Sequence, residues 1–246
     1  MGELIALLLP FLFAPKDYND LLKKLASFAF YWTYAITLTL RENQSVDSFF
    51  NEIESWGTIG KVVSIIPHYD ALNISGFFIA FAVAVLTHTF RLHDRISDVF
   101  GIRRRFDCKH ILMPLAERVG SPIPNEKRTA LVENRDKLMR AVFYKYASSR
   151  AQNPLVDRHD IEHALSAWSW FWVFVEGVFY FIVGALIAWG IGSPNIALAF
   201  LAVAFVFFIL ALGQRPRLNR YALPQIDAIA ADPTASYEVR MQFNAL

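Results

Sequence analysis

Apolar residues along this chain gather into long runs instead of alternating with polar ones. Ala164 to Gly190 carries a single charge, Glu176, and Ile196 to Leu212 carries none. Runs of this length cross about 30 Å of hydrocarbon as α-helices. The linker between them, Ile191 to Asn195, contains Gly192 and Pro194 and permits only a tight hairpin. Ala71 to Phe90 reads as another span, with Asn73 and Ser75 near its start. Leu21 to Leu40 reads as a fourth. Lys23 and Lys24 at its start and the polar-aromatic cluster Tyr31 to Tyr34 make it wetter, so neighbouring helices are expected to shield it. Leu4 to Phe13 is too short to cross and is interrupted by Pro10, so residues 1–20 are expected to form an interfacial or re-entrant helix.

Charge orients these spans. Residues 91–165 hold fifteen Lys/Arg against ten Asp/Glu, whereas residues 41–70 hold two against five. Positive-inside counting puts the first segment in the cytoplasm and the second outside. Arg215, Arg217 and Arg220 follow the last span and agree. The expected architecture is an all-α integral membrane protein of about four transmembrane helices, with a helical cytoplasmic domain built from the 91–165 insert and the C-terminal tail. Its parts are an N-terminal helix over 1–20, two spans over 21–90 with an external loop at 41–70, a cytoplasmic insert over 91–163, a transmembrane hairpin over 164–213 and a tail over 214–246. Both termini fall inside, in a multi-pass protein of the bacterial inner membrane.

Within the insert, ERVGSPIPNEK separates two helical parts, and Leu131, Leu138, Val142 and Tyr146 recur near helical spacing in the second. Pro216, Pro224 and Pro233 predict short helices and turns in the tail, lying against the insert. The composition, 55% hydrophobic and 15% aromatic, fits a membrane chain, and the net charge of +2 hides the segregation just described. The one cysteine, Cys108, excludes an intrachain disulfide and reads as a small packed residue in a reducing cytosol. The opening residues carry neither a secretory n-region nor a myristoylation pattern.

Glu176 is the first candidate for chemistry. A carboxylate near the middle of a span costs several kcal/mol unless it is neutralised, hydrogen-bonded or wetted, which makes it a pore or proton-path candidate or a packing acid. Gly177 beside it, and Gly184 two turns on, admit close helix approach. In the preceding span Gly76, Ala80, Ala84 and His88 recur every four residues, a small-residue packing face ending in an imidazole. The tryptophans Trp168, Trp170, Trp172 and Trp189 mark the two interfaces of the third span.

The stretch RLHDRISDVFGIRRRFD leaves the membrane with charges of both signs. Arg91 with Asp94 and Arg95 with Asp98 stand three apart and can pair on a helix. Beyond Gly101 the run Arg103, Arg104, Arg105 cannot all share one helix side. With Arg118, Lys127 and Arg128 it offers a surface for lipid phosphate, a nucleotide or single-stranded nucleic acid. Just before the third span, VDRHDIEHALSAW places Asp157 as an N-cap, and His159 and His163 four apart on one face. HDIEH is not HExxH and no third ligand accompanies it, so no metal and no cofactor is expected. Arg158, His159 and His163 resemble the short Arg-polar-x-x-x-His motif of HEPN ribonucleases, which would imply RNA handling by the Arg and the distal His.

The layout of four spans and a basic insert opening RLHDRISDVFGIRRRFD looks like the small membrane effectors of bacterial anti-phage defence, the DNA-gated channel of Hailong systems and the nucleotide-gated effectors of CBASS. That resemblance implies a homo-oligomeric channel or membrane-disrupting effector, gated from the cytoplasm by an anionic ligand and not an enzyme. The alternatives are a membrane-anchored HEPN-like ribonuclease, or a non-catalytic membrane sensor or scaffold that docks a cytosolic protein partner.

Overall fold

A computed structural model describes residues 14–55, 74–148 and 155–246. The segment Leu4–Phe13, the later part of the 41–70 loop and the start of the Ala71–Phe90 span lie outside the described residues. Every regular element among the described residues is helical. In chain order these are α1 (Tyr18–Leu40), α2 (Gln44–Ser55), α3 (Ile74–Phe90), α4 (Leu92–Phe100), α5 (Ile102–Phe106), a π-helical turn at Asp107–Leu112, α6 (Met113–Arg118), a 3-10 turn at Asn125–Lys127, α7 (Arg128–Glu133), α8 (Arg135–Leu138), a second π-helical turn at Met139–Tyr144, α9 (Arg158–Gly190), α10 (Pro194–Ala231) and α11 (Pro233–Asn244). The described residues fall into two compact units. One, here the apolar unit, takes its described residues from 22–92 and 171–212; the other, the polar unit, takes them from 14–21, 93–170 and 213–246.

Among the described residues two helices are long and apolar enough to cross a membrane, α9 and α10, and a third crossing results if the bent pair α3 and α4 is one span. The seventeen residues of α3 rise about 26 Å, short of the hydrocarbon thickness. The bend of 60° falls at Arg91, whose φ of 49° is left-handed, so RLHDRISDVF does not continue α3 as one straight helix. Helix α1 is long enough at 23 residues but too polar for the same test, and it buries Lys24, Thr33 and Thr37.

Inside the apolar unit, Ala29, Ile36 and Leu40 of α1 pack with Phe181, Ala185 and Ala188 of α9 and with Ala197, Phe200 and Ala204 of α10. Small residues set the spacing. A Cβ on Gly184 would stand 3.2 Å from Ile36 and from Phe200, and one on Gly177 would stand 3.1 Å from Phe207. The α9–α10 hairpin closes at Gly192, φ 75°, where Ser193 N–H reaches the carbonyl of Ala188 at 2.9 Å in a glycine-capped helix end. Asn43 donates to Ser193 Oγ at 2.7 Å, which ties the α1–α2 turn to this hairpin. Around the core, Phe77, Phe81 and Leu86 of α3, Leu186 and Trp189 of α9, and Leu198, Phe205 and Val206 of α10 remain exposed. A continuous apolar surface of this kind needs a non-aqueous neighbour.

The polar unit has its own core, in which Leu112, Leu115 and Val119 meet Leu131, Met139 and Val142 from the insert and Ile226, Ile229, Val239 and Phe243 from the tail. The tail is not the series of short helices and turns expected from its prolines: α10 runs on through Pro216 and Pro224 to Ala231. Each proline forfeits one backbone hydrogen bond. Buried Leu218, Ala222, Ile226 and Ile229 nevertheless recur at helical spacing, and burying that face holds the helix. Asp232 then caps α11 by accepting from Ala235 N–H at 2.8 Å.

Candidate functional site

The polar unit holds a cluster of ionised and phenolic side chains beneath its surface. It begins at Gly101, whose φ of 62° separates α4 from α5. Ser97 Oγ accepts from Arg103 N–H at 3.1 Å and satisfies a backbone donor of the short α5. That placement turns Arg103 inward. Its guanidinium lies 3.6 Å from Asp94 and 3.8 Å from Asp107, and it donates to the Tyr144 hydroxyl at 3.3 Å. Arg135, at the start of α8, donates to the same Asp107 oxygen at 3.2 Å and also pairs with Asp136. On the other side of Asp94, the Tyr18 hydroxyl donates to it at 3.0 Å and lies 3.0 Å from His93 Nε2.

Two π-helical turns frame this cluster. Asp107 opens the first and Tyr144 closes the second. Such turns insert one residue into a helix and re-aim the side chains around it. Pro114 accounts for the first: it has no N–H to give residue 110 and its ring crowds that carbonyl, so the helix widens just before it. The outcome is a carboxylate only 4% exposed, between two guanidinium groups. Burial pushes the Asp107 carboxyl up to about 6, against the pull of Arg103 and Arg135, which favour its ionised form. Burial likewise raises the Tyr144 phenol, and it opposes the charge on Arg103. There Tyr144, Asp107 and Asp94 win, so Arg103 is held above its ordinary range. Burial and the neighbouring Asp107 raise the Cys108 thiol, which makes it a poorer nucleophile.

The arginine run thus divides. Arg103 faces inward, Arg104 folds back over Gly101, and Arg105 is exposed. Arg118 pairs with Asp227 of the tail, while Lys127 and Arg128 lie exposed at the 3-10 turn and the start of α7. Arg158 is exposed and bonds Glu162 at 3.0 Å. His159 and His163 bring their rings to 4.1 Å, and Asp157 caps α9 by accepting from His159 N–H at 2.7 Å. No cluster of three or more metal-ligating side chains occurs among the described residues.

In the apolar unit Glu176 is 1% exposed on α9, one turn from Tyr180, whose hydroxyl bonds Thr87 of α3. On α3, Gly76 and Ala80 are buried, Ala84 is half-buried and His88 is exposed. Sequence spacing did not reveal that Arg135 meets Asp107 or that Tyr144 meets Arg103, because these partners stand 28 and 41 residues apart. The only local hint was the density of acids and arginines around Gly101.

A family model described as the YmfE protein family matches residues 17–245. No curated protein and no solved structure matches the chain.

Proposed function

The chain belongs to the YmfE protein family, and from that premise we propose that it is a non-catalytic membrane sensor whose helical polar unit answers to protons. In this reading α1 and α3 join α9 and α10 as four spans of the bacterial plasma membrane. Both termini and the polar unit then lie in the cytoplasm, where a protein partner docks. The positive excess in residues 91–165 supports that sidedness. The observation that carries the reading is Asp107, buried between Arg103 and Arg135 where two π-helical turns meet.

Because the folded carboxyl titrates above its unfolded value, the folded unit binds the proton more tightly than the unfolded chain. Stability from this group therefore rises as pH falls through about 6. Between pH 7 and 5 the gain is about 1 kcal/mol, near tenfold in an opening equilibrium. In the full-length protein in nanodiscs, hydrogen-exchange protection of residues 101–112 and 135–144, corrected for intrinsic rates, is expected to rise by that factor. Asp107→Asn is expected to flatten the response. Equal slopes in the two proteins would remove the sensor.

A second reading, an oligomeric channel gated from the polar unit, is favoured by Glu176, since an acid buried deep in a span is costly to keep without a role. It predicts ion flux from liposomes carrying the purified protein, altered several-fold in Glu176→Gln. Flux that the substitution leaves unchanged would take Glu176 out of the conduction path.

A further inference from the structure

Helix α4 ends in two adjacent apolar side chains that the polar unit leaves uncovered. Its inner side is buried through His93, Ile96 and Ser97. Val99 and Phe100 are 79% and 64% exposed, and Val99 exceeds every other large apolar side chain among the described residues. A single exposed apolar residue needs no explanation, but these two stand inside a basic frame. Arg95 lies one turn before Val99, so the two share a helix face. The Arg104 guanidinium comes back to Gly101, the residue after Phe100, and would stand 3.2 Å from a Cβ there. Between positions 95 and 109 the exposed charges are Arg95, Arg104, Arg105 and Lys109 against Asp98 alone, an excess of three. Among the described residues no ion pair joins any of these four cations to an acid. Arg103, the paired member of the arginine run, is the one turned inward.

We propose that the α4–α5 turn rests on the cytoplasmic bilayer surface, with Val99 and Phe100 in the headgroup layer and Arg95, Arg104 and Arg105 on anionic lipid phosphates. Chain position and charge select this occupant. Helix α4 starts one residue after α3 ends, and its nine residues rise about 14 Å, so covalent connection alone keeps Phe100 near the end of α3. A tip standing straight out would pass a headgroup layer of about 6 Å, whereas one lying along the surface stays within it. Arginines near an anionic leaflet are attracted at short range, and apolar neighbours insert beside them. A second copy fits worse, because two faces of this charge repel. So short a helix buries little apolar area, but the tether to α3 makes its membrane contact intramolecular. The inference rests on α3 lying in the bilayer, as under the reading above, and not on protonation of Asp107.

The test uses the full-length protein in nanodiscs of phosphatidylglycerol or of phosphatidylcholine, with Val99→Cys carrying an environment-sensitive dye. Cys108 is buried, so the wild type taken through the same labelling supplies the background. In phosphatidylglycerol the dye is expected to be quenched by spin-labelled lipid. The neutral aqueous quencher acrylamide should reach it several-fold less than the same dye on glutathione. Arg104→Gln combined with Arg105→Gln lowers the ratio of lipid-embedded to water-exposed dye about 25-fold, roughly fivefold for each basic residue. Should that variant not fold, as judged by circular dichroism, the two lipids decide alone, with phosphatidylcholine giving the lower ratio. A dye at position 99 that acrylamide reaches freely in phosphatidylglycerol overturns the proposal; if a single-stranded oligonucleotide then shields it, the face belongs to nucleic acid. Shielding without lipid quenching overturns it too, and assigns the face to a protein surface. An equal ratio in both lipids and in the arginine variant does the same by removing the anionic headgroup. Leu86→Cys on α3, labelled in parallel, reads the span itself. Lipid quenching there beside a wet position 99 sinks the present proposal alone, whereas a wet position 86 takes the four-span reading down with it.

Discussion

Arg135→Ala is expected to destabilise the polar unit by about 3 kcal/mol at pH 7, since breaking a buried ion pair from one side strands the other charge. Arg135 and Asp107 are 14% and 5% exposed, so solvent screens little of their attraction. With Arg135 gone, Asp107 keeps only the longer contact to Arg103. The loss should shrink at pH 5, because the carboxyl then carries its proton and no longer needs a counter-charge. Unfolding by denaturant, followed through the fluorescence of Trp168, which packs on Phe106 at 4.8 Å, measures both values. A penalty of the same size at pH 5 and 7 would mean that Arg135 acts by packing and not by charge.

Gly184→Leu is expected to be the most damaging substitution in the apolar unit. The first added carbon already meets Ile36 and Phe200 at 3.2 Å, and three more carbons must displace side chains of α1 and α10. Overpacking of this kind costs about 1–3 kcal/mol for modest insertions and more where several helices converge. Gly190, on the same helix, faces open space, so Gly190→Leu is the matched control and should be nearly neutral. Detergent-driven unfolding of the reconstituted protein compares them. Similar midpoints for the two variants would show that α9 shifts freely against its neighbours.

The two long apolar helices were the most legible part of the chain. A bilayer core favours long apolar runs with few charges, so Ala164–Gly190, with one, and Ile196–Leu212, with none, declare themselves without reference to any other residue. Helix α1 was ambiguous for the same reason: its polar face is buried against protein, and a sequence read one segment at a time cannot show that neighbour. The bend after α3 was hidden as well, because it depends on a left-handed arginine and not on glycine or proline. For Asp94, spacing suggested a partner three residues away. The structure joins it to Tyr18, 76 residues upstream, and to Arg103. Local rules see i,i+3 neighbours, whereas a cluster that bridges π-helical turns is fixed only by tertiary packing. The tail misled through its prolines, whose local penalty was outweighed by a buried stripe from Leu218 to Ile229.

That tail also dictates when the polar unit can finish folding. Val239 and Phe243 are 1% and 3% exposed against insert residues, Glu238 accepts from Tyr146 at 2.6 Å, and Arg240 donates to the carbonyl of Val119 at 2.6 Å. All of these partners leave the ribosome about a hundred residues earlier, with both spans of the hairpin still to be made. At elongation rates of about 5–20 residues per second the insert waits roughly 5–20 s with its core open. Nascent chains of this protein therefore leave the apolar side of the insert uncovered until the last dozen or so residues are made.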